Sequence, residues 1–137
     1  SLGNMRSEDH MKMDGKAVFI FTLTLVPQMI SRLMTKVDMK VEDIDIFVFH
    51  QASKLIVDSI AKKLKIPEEK IVYKLSHYGN SGGSTVAVAL TEAHKTGRIK
   101  PGMKVLMAAF GVGLSWGASM LVWPEDGGGI PVEIGAE

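Results

Sequence analysis

Residues 105–123 (VLMAAFGVGLSWGASMLVW) run for 19 positions without a charged side chain. A stretch of that length has two homes, a lipid bilayer or a fully covered protein interior. A transmembrane helix takes about 20 apolar residues, so length alone admits one. Gly111, Gly113 and Gly117 punctuate the middle, however. Glycine weakens a helix interior and suits a tight reversal. The stretch therefore reads as two strands joined by a glycine turn. Strands apolar on both faces belong to a sheet with helices packed on each side. A chain of 137 residues can bury such a core as one domain.

The rest of the chain supplies elements for that sheet. Leu23, Val26, Ile30, Leu33 and Val37 follow the three-four spacing of a helix face. Pro27 is awkward within it unless the helix begins nearby or bends there. Residues 17–25 (AVFIFTLTL) read as a strand by their β-branched and aromatic content, with a buried helix as the alternative. Residues 45–49 form a short apolar strand ending at His50. Ala52, Leu55, Ile56, Ile60 and Leu64 then mark a helix, with Lys54, Lys62, Lys63 and Lys65 left to solvent and Ile66-Pro67 as its stop. Residues 71–75 (IVYKL) alternate as a strand. A glycine-rich turn, residues 78–84 (YGNSGGS), leads into an alanine- and valine-rich helix that ends at Thr96-Gly97. Short apolar strands interleaved with helices predict an α/β fold with a mostly parallel sheet, the final hairpin adding an antiparallel strand. Residues 1–12 read as a disordered or expression-derived segment without the apolar core of a secretory leader. Residues 13–123 form the domain, and 124–137 (PEDGGGIPVEIGAE) an irregular tail.

Composition narrows the chemistry. The chain has no cysteine, so it holds no disulfide, no thiolate metal site and no thiol nucleophile. Sixteen Lys and Arg against 15 Asp and Glu give a net charge of +1, without the basic excess of a nucleic-acid binder. His10, His77 and His94 make no metal-ligand spacing with His50 and are expected to face solvent. Ligand sites in open α/β sheets lie beyond the carboxyl ends of the strands. Two polar motifs fall there, His50-Gln51-Ala52-Ser53 and Gly79-Asn80-Ser81-Gly82-Gly83-Ser84, and each precedes a helix. A neutral imidazole donates one N–H and an Asn carboxamide two. Converging on one oxygen, they would form an oxyanion site worth about 3–4 kcal/mol per donor. The ordinary readings stand beside this one: a His at a strand end that serves only as a structural hydrogen-bonding group, and an Asn chosen for its tolerance of turn backbone. Gly79–Ser84 lacks the Lys of a phosphate-binding loop, and no helix of the dinucleotide pattern follows Gly111-Val112-Gly113.

In order and spacing, four motifs resemble one family. His50-Gln51-Ala52, Tyr78-Gly79-Asn80-Ser81, residues 97–102 (GRIKPG) and residues 110–117 (FGVGLSWG) are similar to the C-terminal half of ketoacyl-acyl-carrier-protein synthase III, of the thiolase superfamily. Met13-Asp14-Gly15 with Val18-Phe19 fits the segment upstream, so the resemblance covers residues 13–123. It implies a thiolase-like half: a five-stranded mixed sheet with helices on both faces, the last strand antiparallel. It also turns residues 17–25 into the front of one long helix, bent near Pro27.

The activity implied is a decarboxylative Claisen condensation of an acyl-coenzyme A primer with a malonyl thioester, which starts fatty-acid synthesis in the cytoplasm. The nucleophilic Cys would lie in a missing N-terminal half that also makes most of a homodimer contact. His50 and Asn80 would hold the malonyl thioester oxygen. Gly15, Phe19, Ala52 and Ser53 would line the path of the pantetheine arm, and Lys54, Lys62 and Lys63 would dock acyl carrier protein. No cofactor or metal is implied, only coenzyme A or phosphopantetheine thioesters as substrates, and neither nucleic acid nor membrane as partner. Ser53 departs from the family's usual Asn, Leu55 from an Arg, and Ser81-Gly82-Gly83-Ser84 from Thr-Ser-Ala. Two alternatives remain: a related condensing enzyme of quinolone or polyketide type, or a non-catalytic binding module with the same fold. The isolated chain is expected to expose apolar surface where the other half would sit.

Overall fold

The computed structural model describes residues 13–125. Helix α1 spans Gly15–Lys36, strand β1 Ile46–Phe49, helix α2 Lys54–Leu64, helix α3 Leu75–Tyr78, helix α4 Thr85–Lys95, and strands β2 and β3 Lys104–Gly111 and Ser115–Val122. β1 pairs parallel with β2, and β2 antiparallel with β3, giving the order β1-β2-β3. All four residues of β1 are buried. Alternation sends them to two cores. Phe47 and Phe49, with Leu106, Ala108 and Phe110 of β2, pack beneath α1 and α2. Ile46 and Val48, with Val105, pack against Ala89, Leu90 and Ala93 of α4 on the opposite face. The uncharged run at 105–123 is thus a hairpin, with its reversal at 112–114 and Gly113 at φ +135°, open to glycine and strained for other residues. The expected cover holds for β2 alone: no residue of β3, the outer strand of the described sheet, is buried.

Residues 17–25 are helical throughout, within α1. Asp14 caps the helix, its Oδ1 accepting from the Ala17 N–H at 3.0 Å. The 22-residue helix is long and apolar enough to cross a membrane by length and composition. Here it buries Phe21, Val26, Ile30 and Met34 along one side, against the core it shares with α2. Pro27 has no N–H, which deprives the Leu23 carbonyl of its helical donor. The Lys63 ammonium of α2 donates to that carbonyl at 2.8 Å. A cation from the neighbouring helix therefore completes the interrupted turn.

The sheet has three strands among the described residues rather than five. The expected strand at 71–75 shrinks to one parallel bridge, Ile71 with Phe47, and the chain turns into α3 by Leu75. The reason is the Gln51 side chain. Its Nε2 donates to Val72 O at 3.2 Å and its Oε1 accepts from the Lys74 N–H at 3.0 Å. A carboxamide takes the pairing positions that another strand residue would have filled. His94 also departs from expectation. It is half-buried, its ring 5.0 Å from the Trp123 ring, with Nδ1 shielded from solvent. His77 is exposed, and the expectations for residues 1–12, His10 included, and for the tail from 126 lie outside the described residues.

If Lys63 serves Pro27, the two positions must be energetically coupled. Lys63→Met should cost up to about 1 kcal/mol by urea denaturation. In a Pro27→Ala background, where residue 27 regains its N–H, the cost should largely vanish. Equal costs in the two backgrounds would show that Lys63 does not serve the Pro27 gap.

Candidate functional site

β1 ends where the site begins. The His50 N–H continues the β1–β2 ladder, donating to Ala108 O at 2.8 Å. Strand alternation carries the side chain to the α4 side, the side of Ile46 and Val48. There it meets Thr85, the first residue of α4, with His50 Nδ1 2.5 Å from Thr85 Oγ1. The ring also stands edge-on to Phe110, with centroids 5.2 Å apart and planes at 89°. These contacts leave His50 half-buried, and burial lowers its pKa below the ordinary 6.5. The imidazole is therefore neutral at pH 7, with Nδ1 engaged and Nε2 left for a ligand.

Gln51 ties this strand end to the second motif. Only 3% of its surface is exposed. Its Nε2 donates to Phe49 O at 2.8 Å as well as to Val72 O, while its Oε1 receives the Lys74 N–H. The segment thereby anchored runs through α3 into the Asn80 turn. Gly79 sits at φ 63°, ψ −163°, a region in effect open only to glycine. Asn80 is exposed, and its Oδ1 accepts from the Gly82 N–H at 3.1 Å. That bond identifies the carboxamide oxygen and leaves the NH₂ group as a donor. The Thr85 N–H then bonds back to Gly82 O. His50 and the Asn80 turn are thus joined twice, through Gln51 and through Thr85.

Several of the residues assigned by resemblance to pantetheine and carrier protein also serve the fold. Gly15 opens α1 and is exposed, while Phe19, four residues on, is half-buried. Ala52 is half-buried, and Ser53 caps α2, its Oγ accepting from the Ile56 N–H at 3.2 Å. Lys54 pairs with Asp58 at 2.7 Å and lies 4.9 Å over the Tyr73 ring. The Tyr73 hydroxyl donates to the same carboxylate at 2.7 Å. The bond from Lys54, then that from Tyr73, holds the Asp58 carboxyl below its usual range, while burial and Asp58 push the Tyr73 phenol up. Lys63 is committed to the Leu23 carbonyl. Lys62 is exposed and forms no ion pair among the described residues.

Sequence reasoning placed His50 and Asn80 at strand ends but gave no part to Gln51 or Thr85. Their signals were faint. Gln51 stood inside the motif, and Thr85 stood one residue past the glycine-rich turn.

Two measurements follow from this geometry. Gln51→Leu orphans three backbone groups and should cost about 2–4 kcal/mol in urea denaturation. Gln28→Leu, on the exposed side of α1, should change stability by less than about 0.5 kcal/mol. In an NMR titration the His50 ring should titrate below 6.5. The unfolded chain then binds that proton more tightly than the folded one. This contribution to stability is complete above the unfolded-state value and is lost as pH falls toward the folded-state value. A midpoint at or above 6.5 would contradict the burial of the ring.

Comparison with known proteins bears on the chain's family. Residues 34–123 match the family model for the 3-oxoacyl-[acyl-carrier-protein (ACP)] synthase III C terminal. The β-ketoacyl-[acyl-carrier-protein] synthase III of Acaryochloris marina is 39% identical over 82% of this chain and 34% of its own length. That of Clostridium perfringens is 37% identical over 87% of this chain and 37% of its own. This chain therefore spans about a third of the length of the curated relatives it matches. The crystal structure of β-ketoacyl-[acyl carrier protein] synthase III from Thermus thermophilus superposes with a TM-score of 0.83 at 33% identity, covering 88% of this chain and 38% of that one. The thiolase-like likeness holds for the half-domain with its three described strands. The chain belongs to the 3-oxoacyl-[acyl-carrier-protein (ACP)] synthase III C-terminal family.

Proposed function

We propose that this chain supplies the oxyanion-binding half of a decarboxylative Claisen condensation that begins fatty-acid synthesis. A malonyl thioester would lie with its thioester oxygen between His50 and Asn80. As the carboxylate leaves as CO₂, the electron pair of the breaking C–C bond passes to the α-carbon and delocalises onto that oxygen. Two N–H donors stabilise the charge as it develops. The carbanionic carbon then attacks an acyl thioester held on a Cys, whose sulfur leaves as thiolate. The 137 residues contain no cysteine, so another polypeptide segment must carry that group.

The observation that carries this reading is the state of His50. A half-buried imidazole with a lowered pKa and one nitrogen already engaged is a poor general base and a good neutral donor. Membership of the synthase III family supports it further. The exposed apolar side chains Tyr78, Val112, Leu114 and Trp116 flank the Asn80 turn and the hairpin reversal. We assign this face to the Cys-bearing half. Gly15, Phe19, Ala52 and Ser53 would guide the pantetheine arm, with the Ser53 hydroxyl proton free while its oxygen caps α2. Of the carrier-docking lysines, Lys62 is the one whose charge is uncommitted among the described residues.

The test is co-production with a Cys-bearing N-terminal half of a synthase III. The pair should release CO₂ from malonyl thioester and form a 3-oxoacyl product. His50→Ala or Asn80→Ala should each lower decarboxylation by about 10²–10³-fold. The chain alone should form no 3-oxoacyl product. Condensation by the chain alone, or decarboxylation untouched by His50→Ala, would remove this assignment.

A further inference from the structure

A neutral imidazole has two tautomers, and only one of them can donate through Nε2. Thr85 is placed to decide between them. Its side chain is buried, with 2% of the residue's surface exposed, and Oγ1 lies 2.5 Å from His50 Nδ1. Among the described residues this is the one hydrogen bond that Oγ1 makes. A hydroxyl carries a single proton. Directed at Nδ1, it satisfies both groups and leaves the ring proton on Nε2. In the reverse arrangement Nδ1–H donates to Oγ1, and the hydroxyl proton has no acceptor at a buried position, which is costly. The Thr85 backbone is fixed as well, its N–H bonded to Gly82 O at the start of α4.

We propose that Thr85 is a positioning residue that holds His50 in the Nε2–H tautomer, making the ring a donor toward the bound oxygen. The inference rests on the oxyanion reading for its consequence, but the tautomer itself is measurable without turnover. Sequence spacing hid the pair, since 35 positions separate the two residues. A valine at position 85 would preserve the shape and lose the proton. A serine would keep the proton.

The experiment is a long-range ¹H–¹⁵N correlation spectrum of the 137-residue chain labelled at histidine nitrogen, at about pH 8, where histidines are neutral. In the unaltered chain His50 should show a protonated Nε2 and an unprotonated Nδ1. Thr85→Val should shift both nitrogens to the intermediate positions of a tautomer mixture, and Thr85→Ser should restore the original pair. In the enzyme reconstituted with a Cys-bearing half, Thr85→Val should lower kcat for decarboxylation about tenfold with KM little changed. That is less than the loss of a donor outright. A protonated Nδ1 in the unaltered chain overturns the proposal, and that measurement needs no variant to fold. A Thr85→Val spectrum identical to the original does the same. If Thr85 sets the tautomer while His50→Ala keeps full decarboxylation, the positioning stands and the proposed reaction falls.

Discussion

The carboxamide of Gln51 is the joint on which this structure turns. Buried at the carboxyl end of β1, it bonds Phe49, Val72 and Lys74 at once. A side-chain amide has the same donor and acceptor as a peptide group, so it can stand in for a strand residue. It does so where the sheet would otherwise have widened. The chain beyond Ile71 is freed to turn, and it turns into α3 and the glycine-rich approach to Asn80. A wider sheet edge at this point would have carried Asn80 away along the strand direction. One buried polar contact thereby places two motifs that are thirty residues apart in the chain.

The proposed chemistry depends on keeping His50 an uncharged donor. Burial beside Phe110 and Thr85 disfavours the imidazolium, and a neutral ring has no competing pull on a carboxylate. Asn80 is neutral at every pH. Two uncharged donors would bind a neutral thioester weakly and its enolate strongly, the differential binding that the proposed decarboxylation requires. The same economy appears in the lysines. Two of the three lysines within α2 are used by the fold itself, Lys63 on the Pro27 gap and Lys54 on Asp58.

Much of this was readable from the residues. The uncharged run with its three glycines announced a hairpin but not the exposure of its second strand, none of whose residues is buried, and the apolar 45–49 segment announced a covered strand with His50 at its tip. Residues 17–25 were ambiguous, because β-branched and aromatic residues fill buried helices as well as strands. Residues 71–75 misled. They alternate as strand residues do, but pairing is decided by what lies alongside, and there a glutamine side chain lies alongside. His94 could have been placed: Leu90, four residues earlier, is buried on the same face of α4. Thr85 could not, because its value comes from a contact across 35 residues. Pro27 implied an orphaned carbonyl, yet nothing local named Lys63 as its partner.

The central claim is that His50 and Asn80 converge on one oxygen. A crystal structure of this chain assembled with a Cys-bearing half and a non-decarboxylating malonyl thioester analogue would test it directly. The thioester oxygen should lie within about 3 Å of both His50 Nε2 and Asn80 Nδ2. An oxygen held by one of them alone, or a thioester facing away from both, would contradict the account.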